Sequence, residues 1–85
     1  MIGFLAAFDA LPVGTFYGTA HCTRYVVTRS RIVGGKGDKL VAEALDGSDY
    51  ISLNLYRLAS GPRLKPCEMP AAKVSAFVLD LTPDQ

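Results

Sequence analysis

Two thiols and one imidazole, Cys22, Cys67 and His21, are the side chains of this 85-residue chain best suited to covalent or metal chemistry. Cys67 lies in Lys65-Pro66-Cys67-Glu68-Met69-Pro70, and Pro70 suits the first position of a helix. A thiol just ahead of a helix N-terminus meets orphan N–H groups and the positive end of the dipole, which favour the thiolate. His21 is the sole imidazole available to take its proton. Two considerations oppose a nucleophile. Glu68 places a carboxylate beside the thiol, where it disfavours a second negative charge; its own charge suits a helix start, which is a structural role. Cysteine also serves widely as a small buried hydrophobe. Packing is therefore the preferred role for Cys67, with catalysis by Cys67 and His21 as the alternative.

A metal site is not expected. His21 and Cys22 are adjacent, which on a strand points them to opposite faces, and no Cys-x-x-Cys supplies the rest of a tetrahedral set. Asp46 and Asp49 flank a turn and are better explained as turn formers than as an acid–base pair. Gly34-Gly35-Lys36-Gly37-Asp38 resembles a phosphate loop only in glycine content. It lacks the Lys-Ser/Thr that must open a helix, and a strand is expected after it. No cofactor is predicted.

Two non-catalytic constellations remain. Tyr25, Arg29, Arg31 and Lys36, with Arg24 and Lys39 nearby, form a basic strip with an aromatic member, the composition of a surface that contacts phosphates and stacks on bases. Arg24 falls on the opposite face from Arg29 and Arg31, which dilutes the strip. Tyr50, Ser52, Asn54 and Tyr56 form the other. In Asp46–Leu58, DGSDYISLNLYRL, they alternate with Ile51, Leu53 and Leu55, the period-2 pattern of a strand with one apolar and one polar face. Two tyrosines beside an amide and a hydroxyl provide contact area and hydrogen bonding for a protein partner or a second copy of the chain. The competing reading places a helix over each face and makes these tyrosines half-buried core.

The elements that must position these groups follow from the same patterns. Residues 2–11 predict a short helix with Ile2, Phe4, Leu5, Phe8 and Leu11 inward, ended by Pro12. Thr15–Ala20 reads as a strand, with Gly18 marking a bulge or a close approach by the helix above it. A tight turn at His21–Thr23 leads to a strand over Arg24–Val33, whose mixed faces suggest a charge-guarded edge. Lys39–Leu45 is a third strand, with helix as its competitor. Asp46–Asp49 turns the chain into the tyrosine-bearing strand. Arg63–Cys67 is a short final strand, at an edge because Pro66 lacks an N–H. Val74, Phe77, Val78 and Leu81 then mark a helix stopped by Thr82-Pro83.

Composition bounds the rest. A hydrophobic share of 49% against 20% charged is that of a globular chain, and the length suits a single domain, residues 1–85, with one small core. Nine basic and eight acidic residues leave a net charge of +1, too little for a global attraction to nucleic acid or anionic lipid. The N-terminus lacks the basic flank and long apolar core of a signal peptide, and no run approaches a membrane span. Two cysteines without a disulfide framework point to a reducing cytoplasm. The sequence thus predicts a small α+β domain: an antiparallel meander of four or five strands flanked by an N-terminal and a C-terminal helix. Its expected function is protein binding or self-association, with weak nucleic-acid binding and a thiol enzyme as alternatives.

Overall fold

The alternating segments assemble into one six-stranded antiparallel sheet in a computed structural model that describes residues 2–32 and 34–84. The order along the chain is α1 (Ile2–Asp9), β1 (Gly14–Ala20), β2 (Thr23–Arg31), β3 (Gly37–Ala44), β4 (Tyr50–Leu58), β5 (Gly61–Pro66), α2 (Ala71–Asp80) and β6 (Thr82–Pro83). Across the sheet the order is β5-β4-β3-β2-β1-β6. The first five strands form the expected meander, and of Lys39–Leu45 all but Leu45, which opens the following turn, belong to a strand. Val33, expected to end the second strand, and the side chain of Ile2 lie outside the described residues.

The sixth strand is the departure from the expected four or five. Thr82 and Pro83, expected only to stop the helix, pair with Thr19 and Gly18 of β1. Gly18 makes this possible. A Cβ there would lie 2.9 Å from both Leu81 Cδ1 and the Thr82 carbonyl oxygen. The close approach signalled by this glycine comes from the chain leaving α2 rather than from the helix itself.

Both helices cover the same face. Phe4, Phe8 and Leu11 from the α1 region join Val74, Phe77, Val78 and Leu81 from α2 and its exit. Beneath them lie Ala20, Tyr25, Val27, Leu40, Ala42, Ala44, Ile51, Leu53 and Leu55, all from one side of the sheet. Burial of each large aliphatic or aromatic side chain contributes about 1.5–3 kcal/mol, which holds two helices too short to persist alone. Phe8 and Phe4 stack at 5.8 Å, and Tyr25 meets Phe77 edge-on at 4.8 Å.

The strand expected over Arg24–Val33 is not an edge: β2, which ends at Arg31, lies between β1 and β3. Its mixed inner face has another cause. Arg29 is buried, and its guanidinium donates to Asp38 at 2.7 Å and to the carbonyl oxygens of Phe8 and Leu11 at 2.9 and 2.8 Å. The Phe8 carbonyl, in the last turn of α1, also accepts from the Leu11 N–H at 3.1 Å, and the Leu11 carbonyl lies just past the helix, so the arginine ties the helix terminus to the middle of the sheet. Its Cζ also lies 4.6 Å from the centre of the Phe8 ring. Arg57 donates to Asp9 at 2.5 Å and extends the cluster toward solvent.

The true edges are β5 and β6, and both carry proline: Pro62 and Pro66 in β5, Pro83 in β6. Arg63 and Lys65 add charge to β5. Missing N–H groups and charged side chains discourage strand addition at either side.

Candidate functional site

Because α1 and α2 share a face, no helix or strand among the described residues covers the other one. The strand register orders that open face into rows. Tyr17, Val26, Glu43 and Tyr50 are successive Cα partners across β1 to β4. Thr15, Thr28, Val41 and Ser52 form the next row. Ser30, Lys39, Asn54 and Lys65 form the third, across β2 to β5. Tyr56 pairs with Arg63 beyond it.

The four residues expected at a partner surface are not equally available. Tyr50 is 49% exposed. Asn54 and Tyr56 are half-buried and lie at hydrogen-bond distance from each other, 3.5 Å from Nδ2 to Oη. Ser52 is on the open face yet buried: its short side chain sits opposite Val41, and its carbonyl oxygen accepts from the Cys67 N–H at 3.0 Å. Tyr17, 51% exposed in the same row as Tyr50, belongs to this surface and was missed by the sequence reading. Alternation in β1 places it correctly, but only the strand order brings β1 and β4 into one face.

At the Tyr50 end the face opens into a cleft of about 570 Å³ between the β3–β4 turn and the segment leading into α2. Glu43, Tyr50, Cys67, Glu68, Met69 and Lys73 are among its lining residues. Asp49 anchors one wall. It accepts from Lys73 Nζ at 2.8 Å, from the Tyr25 hydroxyl at 2.8 Å and from the Tyr50 N–H at 2.9 Å. Hydrogen bonding from Lys73 above all, then from Tyr25, holds the Asp49 carboxyl below its ordinary range. The same contact acts in reverse on its partner: burial first, then the bond to Asp49, pushes the Tyr25 hydroxyl up to about 12. Asp49 was expected only to form a turn. It also locks β2 and α2 to that turn. Asp46 keeps the simpler role, accepting from the Ser48 N–H at 2.9 Å.

The basic strip does not form. Tyr25 and Arg29 belong to the interior, the first under α2 and the second under α1. Arg31 and Lys36 are exposed at the β2–β3 end, while Arg24, on the open face, is paired with Asp84 through two 2.7 Å contacts. That pairing raises the Arg24 guanidinium and lowers the Asp84 carboxyl from their ordinary values. A strand pattern cannot tell an arginine that meets solvent from one that caps a helix overhead.

Cys67 and His21 do not converge. Cys67 lies just before α2, and His21 lies in the β1–β2 turn beside Asp80 at the other end of that helix, its backbone N–H donating to Asp80 Oδ2 at 2.6 Å. His21 and Cys22 both have positive φ, 51° and 62°, a left-handed pair that closes a two-residue hairpin turn. No group of three or more potential ligands from His, Cys, Asp and Glu gathers among the described residues. No described helix is long and apolar enough to cross a membrane.

No protein-family model, curated protein or solved structure matches the chain.

Proposed function

We propose that this chain is a small binding module whose open sheet face docks a protein, and that the partner it fits is a second copy of itself. One observation carries the reading: both helices cover one side of the sheet, and the other presents Tyr17 and Tyr50, each about half exposed, beside half-buried Val26 and Val41. Large aromatic side chains on a rigid strand contribute contact area at low entropic cost, and such anchors dominate interface energetics. The proline-bearing edges favour contact through the face over strand addition.

Light scattering coupled to size-exclusion chromatography tests this. The chain has a mass of 9.1 kDa, and a species of twice that mass is expected at high concentration. Tyr17→Ala and Tyr50→Ala should each shift it toward the monomer. A strict monomer at every concentration overturns the reading. So does retention of a single-stranded oligonucleotide at low salt that is lost in Lys39→Ala and Lys65→Ala, since that result assigns the face to nucleic acid.

A further inference from the structure

The open face is electrically polarised along its strands. Glu43 stands at one end, with Glu68 on the adjoining cleft wall, and Lys39 and Lys65 share a row at the other end. None of the ion pairs among the described residues engages these four side chains. The acidic and basic rows lie symmetrically about the row Thr15, Thr28, Val41 and Ser52, two residues away on either side.

That symmetry fixes how two such faces can meet. A twofold axis lying in the interface, along the row through Val41, exchanges the two ends of every strand. It sets each residue of the two flanking rows against the one four positions away on the same strand of the other copy, or close to it once sheet twist is included, and each residue of the Val41 row against itself. Glu43 then meets Lys39, and Tyr50 meets Asn54. Lys65 lies over the mouth of the cleft lined by Tyr50, Glu43 and Glu68. Parallel stacking without this exchange would set Glu43 on Glu43 and Lys39 on Lys39, which like-charge repulsion disfavours.

Resting on the self-association reading above, we infer that the dimer is twofold about the Val41 row, with Glu43 of each copy paired to Lys39 of the other and the acidic cleft receiving the other copy's Lys65.

A charge-exchange experiment tests the arrangement separately from dimerisation. Glu43 and Lys39 are exposed, so reversing either leaves the core untouched; urea unfolding of each variant verifies this. Glu43→Lys alone places lysine against lysine, and Lys39→Glu alone places glutamate against glutamate. Each variant should raise the dimer dissociation constant about tenfold or more. An equimolar mixture of the two should recover a dimer, because every contact across the heterodimer is then between opposite charges. A wild-type dimer that is sensitive to Tyr50→Ala but indifferent to both reversals overturns this arrangement and leaves self-association standing, as does a mixture that fails to recover. A monomeric wild type overturns both.

Discussion

The Arg29 Nε donates to Asp38 Oδ2 at 2.7 Å in the interior of the protein, with both side chains nearly inaccessible to water. The pair joins adjacent strands, β2 and β3, and the remaining arginine donors reach the end of α1. Every buried side-chain nitrogen and oxygen among the described residues has a hydrogen-bond partner, so the desolvation of these charges is offset by a closed network. Its geometry, rather than a net electrostatic gain, is what it contributes: it sets where α1 sits.

Arg29→Met should therefore destabilise the fold by about 3–5 kcal/mol, because it takes the close partner from a buried carboxylate and from the Leu11 carbonyl. A domain of this size has a total stability of about 5–10 kcal/mol, so urea unfolding should begin at very low denaturant. Replacing both partners, Arg29→Met with Asp38→Leu, should recover part of the loss. A single variant as stable as wild type would show that the pair does not hold α1 in place.

Burial of the Tyr25 hydroxyl, reinforced by its bond to Asp49, predicts an alkaline limit. The folded hydroxyl titrates at about 12, above the unfolded value of about 10. Between those values the folded state retains a proton that the unfolded state has released. Stability from this group is full below pH about 10 and falls as pH rises toward 12. The urea midpoint of the wild type should thus drop more steeply over that interval than that of Tyr25→Phe. Equal slopes would mean that folding does not raise the hydroxyl.

The His21–Cys22 turn holds two side-chain-bearing residues in the left-handed region, where each costs roughly 1 kcal/mol. Asn-Gly is the preferred pair for such a turn. The double change His21→Asn, Cys22→Gly should raise stability by about 1 kcal/mol, visible as a Tm increase of about 4–8 °C. A decrease would mean that the His21 ring, with Nδ1 3.5 Å from Asp80, contributes more than the backbone strain removes.

By itself the sequence determined the local periods, and through them most of the fold. Ile51, Leu53 and Leu55 against Tyr50, Ser52, Asn54 and Tyr56 identified a strand with one apolar face, and the spacing from Val74 to Leu81 identified the second helix. Short links between strands left little alternative to a meander. These are near-neighbour properties, set by backbone geometry over a few residues. Which face the helices cover, and that both choose the same one, was decided only in three dimensions. The sheet offers either side until Arg29 finds the end of α1 and Gly18 admits the chain leaving α2. The same long-range choices withdrew Tyr25 and Arg29 from any surface, parted Cys67 from His21, and brought Tyr17 into a row with Tyr50. Alternation records that a side chain differs from its neighbour; it does not record what lies above it, because that neighbour comes from a distant part of the chain.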